Sequence, residues 1–166
     1  MTGEEGRVEL RLTVDGAERT ASIDPRSLLL DALRDELGAI APKAGCRTGD
    51  CGACTVRVDG AIAKSCLRLA VADDGCEVRT TASMAVGGEL TPLQQAFWDT
   101  NAFQCGFCLS GMLFAAEDLL ERTPSPSETE VREAISGNLC RCTGYDAIVA
   151  AVLSCAAPPV RSSRGA

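Results

Sequence analysis

Histidine is absent from all 166 residues. That removes imidazole from its usual roles near neutral pH, and with it Rieske-type iron ligation and mixed cysteine–histidine zinc ligation. Aromatic residues are scarce, with one Trp, one Tyr and four Phe, so something besides ring packing must help organise the interior. Positive charge is short as well: the net charge is −7, with no long basic run, which leaves a nucleic-acid role without electrostatic support. No apolar stretch approaches the roughly 20 residues that a bilayer-spanning helix needs. The longest candidate, Ala147 to Ala157, contains Ser154 and Cys155. The start of the chain, Met1-Thr2-Gly3-Glu4-Glu5, has neither a cationic flank nor an apolar signal core, so a cytoplasmic location is expected. A G-x-G-x-x-G nucleotide loop, a P-loop and an acid–base constellation are also missing.

Cysteine is abundant instead, with ten residues in this short chain. In a reducing compartment such a load points to metal ligation rather than disulfides. With 46% apolar residues, the chain has enough to build packed cores.

The hydrophobic period changes along the chain. Val8, Leu10, Leu12 and Val14 alternate with polar residues and predict a strand. Asp15-Gly16 predicts a tight hairpin to a return strand over Ala17 to Ile23. Ser27 is placed to cap a helix over Leu28 to Leu37, ending at Gly38. Thr55 to Val58, Asp59-Gly60 and Ala61 to Ser65 predict a second hairpin, and Glu77 to Thr81 a further strand. Beyond Gly87-Gly88 the period becomes helical. Thr91-Pro92 with Gln94 predicts a capping box. Helices follow over Cys108 to Glu121, from Ser127-x-x-Glu130 to near Gly137, and over Tyr145 to Cys155. The fold class is therefore α+β, a sheet domain over 1–85 followed by a helical domain over 86–157, with 158–166 as a flexible tail.

Cys46, Cys51 and Cys54 form C-x4-C-x2-C, and Cys66 follows after eleven residues. That is the spacing of plant-type ferredoxins. Three thiolates on one tight loop reach two irons only if the backbone folds closely around them, and Gly45, Gly49 and Gly52 permit that. Zinc loops favour two close cysteine pairs, so iron–sulfur is the preferred reading of this set. The second set joins Cys105-x2-Cys108 to Cys140-x-Cys142, both at expected helix ends, so that packing of the helices would gather four thiolates at one end. By spacing alone an all-cysteine zinc site stays open here.

Three segments together resemble the small iron–sulfur subunit of the molybdenum hydroxylase (xanthine oxidase) family. They are Cys46-x4-Cys51-Gly52-x-Cys54, Gln104-Cys105-Gly106-x-Cys108, and Gly137-Asn138-Leu139-Cys140-Arg141-Cys142-Thr143-Gly144-Tyr145, in the family's order. The resemblance runs from about Val8 to about Ala157. It implies an N-terminal β-grasp, plant-type ferredoxin-like domain and a C-terminal four-helix bundle, each with one [2Fe–2S] cluster. It further implies a large subunit with a molybdenum–pterin site, a medium subunit with FAD, and assembly as a dimer of heterotrimers. Electrons would pass from molybdenum to the bundle cluster, then to the ferredoxin-like cluster, then to flavin. Gln104 and Cys142 are implied to face the pterin. Two alternatives remain: a free-standing two-cluster carrier, and a zinc-stapled adaptor without a redox role.

Two places depart from the common family wording. Arg47-Thr48 stands where smaller or acidic residues are frequent; Arg47 reads as a solvated surface charge in preference to a tuner of the cluster potential. Leu109-Ser110 stands where Thr-Pro is common, and Ser110 is expected only to alter the start of its helix. Cys76 and Cys155 are expected to be bystanders, as small buried apolar residues. Phe97, Trp98, Met84 and Met112 are assigned to packing, and Glu128, Glu130 and Glu133 to a solvated acidic face.

Overall fold

The computed structural model describes residues 6–156; the expected tail at 158–166 lies outside them. Alternation along β1 (Val8–Val14) buries Leu10, Leu12 and Val14 while the intervening residues face outward. The turn to β2 (Ala17–Ile23) is Asp15-Gly16, both at positive φ, as a two-residue turn matched to strand twist demands. The second hairpin, β3 (Thr55–Val58) and β4 (Ala61–Lys64), turns at Asp59-Gly60 in the same way. The last strand, β5 (Glu77–Arg79), does not lie at an edge. It pairs parallel with β1 and antiparallel with β3, giving the order β2-β1-β5-β3-β4.

The helix expected over Leu28 to Leu37 is shorter and looser than its apolar stripe suggests. Ser27 does not cap it. The regular turn α1 (Leu29–Asp31) passes directly into a π-helical stretch, Ala32–Glu36. Such wide turns recur next to functional sites because they re-aim side chains without ending the helix. Leu29 and Leu33 face the sheet's core, whereas the fully buried Leu30 packs on Cys54 and Cys66. Three short 3₁₀ turns, Ser65–Leu67, Ala70–Asp73 and Thr81–Ser83, carry the chain around the sheet.

Four helices follow: α2 (Pro92–Asp99), α3 (Leu109–Arg122), α4 (Glu128–Ile135) and α5 (Asp146–Ser154). Both expected capping boxes form, Thr91 with Gln94 and Ser127 with Glu130. Phe97, Met112, Phe114, Val131, Ile148 and Val152 fill a second core, separate from that under the sheet. Trp98 points away from it, 64% exposed, and leans on Phe103 with ring centroids 6.0 Å apart. Among the described residues no helix is long and apolar enough to cross a membrane.

The two halves meet along β3 and α3. Arg57 on β3, only 6% exposed, reaches Glu117 at 3.0 Å and Glu121 at 2.6 Å on α3, and Arg79 adds a 3.5 Å contact to Glu117. Gly111 on α3 lies so near the carbonyl of Gly52 and Asn138 Oδ1 that a Cβ there would collide with both. Arg57→Ala strands Glu117 in a mostly buried place, so it is expected to destabilise the chain by about 2–4 kcal/mol in chemical denaturation. Gly111→Ala forces the halves apart and is expected to cost about 1–3 kcal/mol in the same measurement.

Candidate functional site

The first cysteine loop hangs between α1 and β3. Cys46 and Cys51 face each other across it: each backbone N–H points to the other's sulfur at 3.3 Å, and Thr48 N–H points to Cys46 Sγ at 3.4 Å. Positive φ at Arg47, Gly49 and Gly52 turns the backbone inward, and a Cβ on Gly45 would stand 2.6 Å from Cys51 Sγ. Cys54, at the start of β3, meets Cys66 of the Ser65–Leu67 turn with sulfurs 3.3 Å apart. Both are buried beneath Leu30. The structure thus brings all four of these cysteines to one loop and its lid.

The second set gathers where α3 begins and α4 hands over to α5. Cys105 and Cys142 sulfurs lie 3.6 Å apart and exposed. Cys108, at the N-cap of α3, is buried and neighbours Cys140. The loop is tied by the Tyr145 hydroxyl, which accepts the Cys140 N–H at 2.9 Å, and by Thr143 Oγ1, 3.2 Å from Cys140 Sγ. Gln104 is exposed beside Cys142 and donates to its carbonyl at 3.1 Å.

Proton affinities are split within these groups. The Thr48 hydroxyl and the N–H groups of Cys51 and Thr48 bring the Cys46 thiol down to about 6. Burial, then the neighbouring Cys54, pushes Cys66 up to about 11. Burial, then Cys140, pushes Cys108 up to about 12. Burial opposes ionisation of Cys140 too, but the Thr143 hydroxyl and nearby N–H groups outweigh it and lower its pKa. The Phe107 N–H lowers Cys105, while Cys142 is raised by Cys105. Adjacent thiols split in this way because two bare thiolates repel. A multivalent cation between them removes the conflict.

The sulfurs meet in twos. Among the described residues, no group of three or more Cys, Asp or Glu is placed to hold a single ion. Two thiols per metal, in two pairs, is the donor arrangement of a two-iron centre, whereas structural zinc gathers four ligands on one point. Cys76 and Cys155 lie apart from both sets, packed against the first and second cores respectively.

Four features were not read from the sequence. The backbone N–H of Leu139, next to Cys140, donates to the carbonyl of Cys51 at 2.9 Å, so the two loops touch through their main chains. Ser110 does more than start a helix: buried, its hydroxyl donates to the carbonyl of Ala53 at 3.0 Å. Arg47 stands exposed at the surface, as expected, but it is paired, gripping Asp31 of α1 with two nitrogens at 2.9 and 2.7 Å. Lys64 adds a further tie to Gly137 O at 2.8 Å.

Comparison with known proteins agrees with this geometry. The 2Fe-2S iron-sulfur cluster binding domain matches residues 12–81, and the [2Fe-2S] binding domain matches residues 80–153. The chain is 51% identical over 147 residues to the nicotine 6-hydroxylase small subunit of Paenarthrobacter nicotinovorans, covering 89% of this chain and 88% of that one. It is 47% identical to the caffeine dehydrogenase subunit gamma of Pseudomonas sp. (strain CBB1), covering 87% and 89%. The crystal structure of quinoline 2-oxidoreductase from Pseudomonas putida 86 superposes with a TM-score of 0.88 at 44% identity, over 92% of this chain and 94% of that one. With two [2Fe–2S] domains in tandem and relatives of this closeness, the chain belongs to the small iron–sulfur subunits of the molybdenum hydroxylase (xanthine oxidase) family, the electron-transfer subunits of oxidoreductase complexes.

Proposed function

We propose that this chain holds one [2Fe–2S] cluster on Cys46, Cys51, Cys54 and Cys66 and a second on Cys105, Cys108, Cys140 and Cys142. When bound, such clusters accept and release one electron at a time. The observation that carries the reading is the 2.9 Å bond from Leu139 N–H to Cys51 O, which joins a residue of one sulfur set to the neighbour of the other. It gives the two sites a short covalent and hydrogen-bonded connection.

The residues divide the work accordingly. Cys54 and Cys66 are shielded from water by Leu30, while Cys105 and Cys142 stand at an open edge with Gln104. That edge is where a molybdenum–pterin on a large subunit would meet Gln104 and Cys142, with electrons then moving inward to the first set and on to FAD of a medium subunit. Phe107, 44% exposed, and Leu139, 56% exposed, flank the open edge. Apolar side chains there favour a subunit with a fixed partner over a free-standing carrier. Under this reading residues 1–85 form a β-grasp domain, residues 86–157 a four-helix bundle, and the complex is a cytoplasmic dimer of heterotrimers. The relatives named above act on nicotine, caffeine and quinoline, so nitrogen heterocycles are the substrates to test first.

The purified complex is expected to contain about four irons and about four acid-labile sulfides per copy of this chain; zinc without sulfide would refute the assignment. Cys142→Ser is expected to abolish turnover while the first cluster's spectrum persists. Cys76→Ser and Cys155→Ser are expected to leave both cluster spectra unchanged, and loss of either signal would show that the ligand sets are drawn wrongly.

A further inference from the structure

Arg47 lies between two of the proposed ligands, one residue after Cys46, and its backbone is left-handed at φ 61°. That conformation is uncommon for a residue with a side chain and costs energy. It turns the next N–H, of Thr48, toward Cys46 Sγ at 3.4 Å. The side chain runs back to α1, where both Asp31 oxygens receive it. Asp31 follows Leu30, the residue that covers Cys54 and Cys66, so one turn of helix touches both halves of the first sulfur set. Arg34 and Asp35, on the same helical segment, are the other charges within reach of the pair.

A [2Fe–2S] centre gains one negative charge on reduction, so a fixed cation beside it favours the reduced form and a fixed anion disfavours it. In the native chain the two opposite charges stand together as an ion pair. We propose that Asp31 and Arg47 are a matched pair of positioning residues that sets the reduction potential of the first cluster by holding a cation and an anion in balance beside it. The inference rests on the cluster assignment made above.

The test is a redox titration of the complete complex followed by electron paramagnetic resonance, with the second cluster as internal reference. Asp31→Asn keeps the shape of the pair and leaves the cation unbalanced, so the first midpoint is expected to rise. Arg47→Gly keeps the left-handed backbone free of strain and leaves the anion, so the midpoint is expected to fall. Each shift should be about three- to tenfold in the reduction equilibrium, a tenfold change being about 59 mV for one electron. The double variant should return close to the native value, and the second cluster should not move. Unchanged midpoints with intact signals, or shifts of the same sign in both variants, overturn the proposal alone. Loss of the first signal in Arg47→Gly also overturns it, since the pair would then be a structural brace. Absence of that signal from the native complex overturns the cluster assignment itself.

Discussion

Thiols held 3.3 to 3.6 Å apart repel as soon as both lose their protons, and the architecture is arranged around that repulsion. Without a cation, one member of such a pair must keep its proton, and the split affinities at Cys105 and Cys142, and at Cys108 and Cys140, express that. The N–H groups converging on Cys46 and Cys51 offset part of the negative charge, since hydrogen bonds to sulfur favour the ionised form. They come from the main chain, which explains why the loop needs inward-turned backbone at Arg47, Gly49 and Gly52. A binuclear iron centre on the proposed ligands would relieve the remaining repulsion, which couples binding of the metal to the stability of these loops.

The same economy governs the junction between the halves. Gly52 belongs to the first loop and Gly111 to α3, and Asn138 precedes the second cysteine pair. All three crowd one point where no added carbon fits. Asn138 Oδ1 is buried there without a hydrogen-bond partner, a cost of order 1–3 kcal/mol that the surrounding ties from Leu139, Lys64 and Ser110 offset. Side-chain charge does the holding farther out, at Arg57 with Glu117 and Glu121, leaving the contact next to the sulfurs to backbone and small residues. Close approach there brings the two cysteine loops into main-chain contact.

Features set by local chemistry were legible in the sequence. Asp15-Gly16 and Asp59-Gly60 formed the turns their φ requirements demand, and both capping boxes closed. Cys54 with Cys66 and Cys105 with Cys142 approach in pairs within the two sets that the spacing marked out. Features set by distant contacts were hidden. Nothing in Glu77–Arg79 says that it lies between β1 and β3, and the apolar spacing of residues 28–37 does not distinguish an α-helix from one that widens at Ala32. Arg47 looks like any surface arginine until α1 places Asp31 opposite it. Ser110 is similar: its role depends on a carbonyl 57 positions earlier in the chain.

The placement of β5 bears on how the protein is made. Synthesis runs from the N-terminus, so β1, β2, β3 and β4, together with Cys46 through Cys66, leave the ribosome before the strand that joins the two hairpins. Until Arg79 has emerged, the hairpins have no common partner, and Leu30 cannot be locked over Cys54 and Cys66 by a finished sheet. The sheet beside the first cysteine set can therefore close only after all four of its cysteines have been made.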